Sequence, residues 1–172
     1  MNDTKKLVIA IGRCCGSGGK TIGKALAEKL NISFYDRNLL NLASENSGIS
    51  EELFAKADEK VKSTLVYKVA RNVYKGEVIP PDSENFVSND NLFNYQAKVL
   101  QGLAEQESYV VIGRCADFVL KDMPNIELIR VFISASDKFC AVHEKKRLGI
   151  TESEARTHIK RFNRRRAEYY HY

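Results

Sequence analysis

The sequence predicts an α/β fold built on a mainly parallel sheet, and three observations lead to this prediction. Short apolar runs alternate with segments of helical periodicity along the chain. The first apolar run, residues 7–11, is nearly continuous, as expected of a strand that is buried on both faces. A glycine-rich loop, residues 12–19, then separates this run from a helical pattern. The 172 residues fit a single domain, residues 1–172.

Two helices and a short strand are predicted directly after the loop. The first helix begins near Lys20, and its apolar residues keep helical spacing. Residues 32–35 indicate a short strand, and Asp36 after it can cap the helix that carries apolar residues 39–43. Ser50, which two glutamates follow, has the pattern of a further helix N-terminus.

The second half of the chain predicts a loop, two strands and two more helices. Residues 75–94 contain a Pro-Pro pair and several Asn, Asp and Ser, so this segment is predicted to be a loop. Helical spacing predicts a helix over 96–106, and apolar runs predict strands over 109–112 and 128–134. The segment 151–154, Thr-Glu-Ser-Glu, is a capping-box sequence that opens the last helix.

Charge and composition narrow the classes of function. No apolar run is long enough to span a membrane, and the first one follows two lysines without a signal-peptide pattern, so a cytoplasmic location is predicted. The net charge of +5 is uneven: residues 137–166 hold ten Lys/Arg and four Asp/Glu, a local net of +6. Such a segment indicates an anionic partner, either a nucleotide phosphate or a nucleic acid. The four cysteines form no CxxC pair, which argues against a zinc site.

The segment that carries the most chemistry is residues 12–21, GRCCGSGGKT, between a strand and a helix. Glycines let backbone N–H groups turn inward around an anion, and the helix N-terminus adds partial positive charge. A lysine can reach terminal phosphates, and a Thr hydroxyl can bind Mg²⁺. The strict pattern G-x-x-x-x-G-K-[ST] is imperfect here, because its first glycine falls on Cys14. The predicted phosphate-binding residues are Gly16, Ser17, Gly18, Gly19, Lys20 and Thr21, with Thr21 also the predicted metal ligand.

Pieces along the chain together resemble the cytidylate-kinase-like family in their order and spacing. They are GSGGKTIGKALAEKL (16–30), FYDRNLL (34–40), VVIGRCADFVL (110–120), IRVFISAS (129–136) and the basic segment 149–170. The resemblance implies a three-layer P-loop fold of the nucleoside-monophosphate kinase type, a parallel sheet flanked by helices. It further implies an acceptor-binding region over about 34–95 and a helical lid over about 138–166. ATP and Mg²⁺ would bind the loop, and CMP or dCMP is the first acceptor to expect.

The resemblance also implies roles for single residues. The acceptor would be held by Asp36, Arg37, Arg114 and Asp117, although helix capping alone would explain Asp36 equally well. In the lid, Arg161, Arg164 and Arg165 would be catalytic together with Lys20 of the loop, and Arg147 and Arg166 are further candidates.

The sequence departs from the family pattern at four positions. Aligned without gaps, the phosphate lysine of the family falls on Gly19, and Lys20 sits one step later. Cys115 stands where cytidylate kinases have an aspartate, Cys140 stands at the first lid arginine, and Asn163 stands at an aspartate. Four strands are predicted where this fold has five, so a fifth strand or a partner, such as a second copy of the chain, would cover the sheet edge.

Three alternatives stay open from the sequence. A kinase for a different small molecule would use the same loop, and an ATP-binding regulatory protein would bind without turnover. A nucleic-acid binder is the least expected, because a lid explains the same basic charge.

Overall fold

The computed structural model describes residues 5–36, 38–47 and 89–170, and within them a parallel sheet of four strands is flanked by helices. The strands are β1 (Lys6–Arg13), β2 (Ser33–Tyr35), β3 (Tyr109–Ile112) and β4 (Ile126–Ile133), in the order β2-β3-β1-β4. The helices are α1 (Gly19–Leu30), α2 (Asn38–Ser47), α3 (Asn89–Gln106), α4 (Ala116–Val119), α5 (Asp137–Leu148) and α6 (Glu152–Tyr170).

β1 lies in the middle of the core and is buried on both faces. Val8 and Ala10 pack with residues of α3 on one face, whereas Ile9 and Ile11 pack with Ala27 of α1 on the other. Because both faces are covered, the strand needs apolar side chains at every position, which accounts for its continuous apolar run. The predicted central strand is confirmed.

The carboxyl ends of β1 and β3 lie side by side and position the candidate site. Ile11 is in register with Ile112, and the N–H of Gly113 donates to the carbonyl of Ile11 at 3.0 Å. The glycine-rich loop that follows β1 therefore lies next to the turn that follows β3. Parallel sheets bind ligands in the crevice at this edge.

The predicted elements are otherwise confirmed with one correction, which concerns residues 89–94. This stretch was predicted to be loop, but α3 begins at Asn89. Asn91 and Leu92 are fully buried, so tertiary packing stabilises helix in a stretch whose Asn and Asp residues alone favour a turn. The capping box is confirmed, since Thr151 and Glu154 exchange hydrogen bonds between side chain and backbone. Ser50 and residues 75–88 of the predicted loop lie outside the described residues, so these two predictions are not tested.

β4 is an edge strand of the sheet that these residues form. Ile129, Val131 and Phe132 on it are exposed, Phe132 by 63%. Among the helices of the described part of the chain, none combines the length and apolar character needed to cross a membrane.

Candidate active site

The glycine-rich loop joins β1 to the N-terminus of α1 in an anion-compatible geometry. Gly16 and Gly18 have left-handed φ values of +80° and +81°, and α1 begins at Gly19 without a side-chain cap. The first turn of α1 holds no acidic residue. Ser17 is buried, and its hydroxyl donates to the carbonyl of Cys14 at 2.9 Å, which stabilises the turn. The amides at this helix start keep the partial positive charge that attracts anions.

Lys20 and Asp36, which the sequence assigned to different parts of the site, form an ion pair. Lys20 Nζ lies 2.8 Å from Asp36 Oδ2, and the lysine side chain is 67% exposed. The pair connects the first turn of α1 to the end of β2 at the surface. Lys20 is largely in solvent, whereas the side chain of Asp36 is 13% exposed, so a phosphate that takes the lysine has to compete with a largely buried carboxylate. Arg37 lies outside the described residues.

The turn after β3 is strained and carries Arg114. Gly113, Arg114 and Cys115 have successive φ values of +74°, +62° and +49°. Two non-glycine residues in the left-handed region cost free energy, and such strain clusters at functional sites. Asp117 follows in α4, and its Oδ1 is buried without a hydrogen-bond partner among the described residues.

Residues 137–170, which include the basic stretch, fold into a helical hairpin of α5 and α6 that packs directly on the loop. The N–H of Cys15 donates to Asn163 Oδ1 at 2.7 Å, and Arg166 Nη1 donates to the carbonyl of Arg13 at 3.1 Å. Gly16 contacts α5 so closely that a Cβ there would lie 2.7 Å from the carbonyl oxygen of Cys140. The α5–α6 hairpin therefore supports the loop that it was predicted to cover, and its role as a lid stays a prediction.

A buried carboxylate, Glu144, is the electrostatic centre of this contact. Arg147 donates three hydrogen bonds to it at 2.5, 3.0 and 3.1 Å, and these bonds lower the pKa of Glu144. Burial raises the pKa of the Cys15 thiol to about 11, and the Glu144 charge adds to the effect. Burial also lowers the pKa of His158, whose Nε2 lies 3.6 Å from the carboxylate.

The charges around Glu144 do not suit a metal ion, although three possible ligands lie close together. Donor atoms of Cys15, Glu144 and His158 lie within 4.8 Å of one another. However, Arg147 already balances the carboxylate, and the thiol keeps its proton at neutral pH because its pKa is about 11. A metal ion would have to displace both, so we interpret the cluster as the support that fixes the loop to the hairpin.

The predicted lid arginines lie on the outer surface of α6. The guanidinium carbons of Arg161 and Arg165 lie 5.6 and 5.8 Å from the centroid of the Phe162 ring, and Arg164 is exposed. Their catalytic roles stay predictions. The structure instead brings Asn163 and Arg166 of this helix onto the loop.

Comparison with known proteins gives the family. The sequence pattern of the cytidylate kinase-like family matches residues 8–172. The chain belongs to this family. Membership in a kinase-like family indicates a phosphotransferase. None of the curated proteins matches the chain significantly.

Two solved structures resemble this chain at low sequence identity. An uncharacterized protein from Eubacterium ventriosum is 26% identical with a TM-score of 0.63, and the match covers 95% of this chain and 75% of that one. A gluconokinase from Sinorhizobium meliloti is 19% identical with a TM-score of 0.45, over 90% of this chain and 73% of that one. The gluconokinase is too distant to bear on the substrate.

Proposed function

We propose that the protein is an ATP-dependent kinase that transfers the γ-phosphoryl group to a nucleoside monophosphate, with CMP or dCMP first. The observation that carries the proposal is the glycine-rich loop between the buried central strand and α1, in a member of a kinase-like family. Gly16 and Gly18 adopt left-handed angles there, and no carboxylate occupies the first turn of α1. An anion at the loop would meet backbone amides and the helix dipole without repulsion from that turn.

The loop residues fit the phosphates of ATP and, in Thr21, one ligand of Mg²⁺. Thr21 is exposed in the first turn of α1, and a hydroxyl oxygen is the kind of ligand that Mg²⁺ prefers. Mg²⁺, when bound, would neutralise charge between the β- and γ-phosphates. Lys20 would exchange Asp36 for a phosphate oxygen. In the proposal, the P-loop comprises Gly16, Ser17, Gly18, Gly19, Lys20 and Thr21.

The acceptor would bind at the turn after β3. Arg114 suits a phosphate because its guanidinium donates two parallel hydrogen bonds, and the turn lies beside the loop. The attacking oxygen belongs to a phosphate that is already ionised near neutral pH, so positioning and charge compensation suffice without a general base. In this proposal the acceptor is held by Asp36, Arg37, Arg114 and Asp117, and Arg161, Arg164 and Arg165 offset charge on the transferring group.

A kinase for another small-molecule acceptor is the second candidate, and two cysteines favour it. Cys115 replaces an aspartate of cytidylate kinases at the strained turn, where φ is +49°. Cys140 is buried, and its backbone contacts Gly16 at the position of the usual first arginine of the lid. Both differences replace a charged residue of the family pattern by a neutral one, which would change the choice of acceptor before the use of ATP.

A coupled ADP-release assay with ATP, Mg²⁺ and a panel of nucleoside monophosphates and small polyols tests the proposal. Lys24→Ala is the matched control for Lys20→Ala, because Lys24 lies one turn later with a side chain 66% exposed. We expect ADP release that depends on CMP or dCMP. The release should fall in Lys20→Ala and survive in Lys24→Ala. Release only with a polyol would favour the second candidate. If ATP binds but no acceptor supports release, the kinase proposal is wrong and a regulatory role takes its place.

A further inference from the structure

Arg13 is the last residue of β1, and its side chain extends across the sheet edge towards the end of β3. A Cβ built on Gly19 would lie 2.7 Å from Arg13 Cβ and 3.0 Å from its Cγ. A Cβ built on Gly113 would overlap Arg13 Nη1 and lie 3.4 Å from Cζ. The stem of Arg13 therefore passes over the start of α1, and its guanidinium rests on the turn after β3. The two glycines leave the space that the side chain occupies.

The backbone of Arg13 is fixed, so its direction is built into the fold. Arg13 is paired in register with Ile133 of β4, and the next residue, Cys14, donates to the carbonyl of Ile133 at 3.0 Å. The carbonyl of Arg13 accepts from Arg166 at 3.1 Å. The side chain is half-buried, which further restricts its rotamers.

The side chain of Arg13 thus runs from one half of the proposed site to the other, with its stem beside Gly19 and its guanidinium beside Gly113. Gly19 belongs to the loop that would hold the donor phosphates, and Gly113 directly precedes Arg114, which would hold the acceptor phosphate. The transferring group passes between these two points. Lys20, by contrast, is turned towards Asp36 at the surface, 2.8 Å away.

We propose that Arg13 is a catalytic residue that contacts the transferring phosphate and supplies positive charge there in addition to that of Lys20. The inference rests on the proposed kinase function. A guanidinium has five donors in a planar fork and can bridge oxygens of two phosphates at once. The acceptor oxygen forms a bond to the γ-phosphorus, and the bond from that phosphorus to the β–γ bridging oxygen breaks. ADP leaves with the electron pair, and Arg13 stays protonated throughout.

The test measures binding and turnover separately in four variants. Arg13→Gln keeps a polar stem without the charge, Arg13→Lys restores the charge without the fork, and Lys20→Met removes the loop lysine. Arg130→Met on β4 removes an exposed arginine outside the site. Titration calorimetry gives the affinity for ATP and for inorganic tripolyphosphate, and ADP release gives kcat and KM. Circular dichroism checks that each variant is folded.

We expect Arg13→Gln to lose about 100-fold or more in kcat/KM, the scale on which removing a transition-state cation acts. Tripolyphosphate affinity should fall in the same variant, recover in part in Arg13→Lys and stay unchanged in Arg130→Met. Lys20→Met should lose less kcat/KM and less tripolyphosphate affinity than Arg13→Gln. The tripolyphosphate affinities alone support Arg13 even if no nucleoside monophosphate is turned over, an outcome that counts against the proposed acceptor alone.

The opposite result overturns the assignment. If Arg13→Gln binds tripolyphosphate as tightly as the wild type and keeps its kcat/KM, Arg13 does not contact the phosphates. If folded Arg13→Gln and Arg13→Lys lose kcat/KM and tripolyphosphate affinity equally, the charge of Arg13 does not act on the phosphates, and the assignment is wrong. A wild-type protein that binds neither ATP nor tripolyphosphate overturns both this inference and the proposed function.

Discussion

Replacing Glu144 by Gln tests whether the buried carboxylate holds the α5–α6 hairpin together beneath the loop. The side chain of Glu144 is 4% exposed, and it accepts three hydrogen bonds from Arg147. Glutamine keeps the size and one acceptor oxygen but removes the negative charge. Arg147 then loses its counter-charge.

The loss in free energy of unfolding expected for Glu144→Gln lies between the values for breaking a buried and an exposed ion pair. Breaking a fully buried pair costs about 3–5 kcal/mol, and an exposed pair contributes about 0–1 kcal/mol. Because the guanidinium of Arg147 is half exposed, we expect Glu144→Gln to lower the free energy of unfolding by about 2 kcal/mol. At about 2–4 °C per kcal/mol for a domain of this size, Tm falls by about 4–8 °C.

Urea unfolding followed by circular dichroism measures this cost, with Glu152→Gln as the matched control. Glu152 also pairs with an arginine on its own helix, Arg156 at 2.7 Å, but its side chain is 53% exposed. The control should leave the urea midpoint unchanged. Equal midpoints for Glu144→Gln and Glu152→Gln would show that burial of the carboxylate adds nothing, and the reasoning would then be wrong.

The remaining predictions use the same contact. Burial lowers the pKa of His158, so stability is lost as the pH falls below about 6.5, and His158→Gln should flatten the decrease in Tm between about pH 7 and 5.5. The pKa of Cys15 rises from 9.0 to about 11, so iodoacetamide should alkylate it about 100-fold more slowly than an ordinary thiol, as followed by mass spectrometry. Gly16→Ala should destabilise more than Gly18→Ala in thermal unfolding, because both have positive φ but only Gly16 lies against α5. Asn163→Asp keeps the acceptor for the loop N–H, and its new charge should weaken tripolyphosphate binding in calorimetry.

The strands could be predicted from the sequence, because strands buried in a parallel sheet need apolar residues at consecutive positions. The side-chain paths could not. Arg13 is directed by glycines at positions 19 and 113, which are distant in sequence and meet only in the folded sheet. Glu144 lies in a strongly polar helix, where a carboxylate is ordinarily solvated, and its burial involves Gly16 of the loop and His158 of α6, which are distant in sequence. A charged residue at the end of a buried strand was the one available signal for Arg13.

Two departures from the family pattern, at positions 140 and 163, belong to one structural feature. Considered separately along the sequence, Cys140 and Asn163 each suggest the loss of a charged residue from the lid. In the structure, the backbone of Cys140 contacts Gly16 and its side chain packs with Cys15, and Asn163 accepts a hydrogen bond from the N–H of Cys15. Both side chains are neutral, so they contact the loop without adding charge beside the proposed phosphates. The hairpin is also attached to the backbone of Arg13, whose carbonyl accepts a hydrogen bond from Arg166. In the proposed kinase, Arg13 would therefore add its charge to that of Arg161, Arg164 and Arg165, because its guanidinium already lies beside the turn after β3.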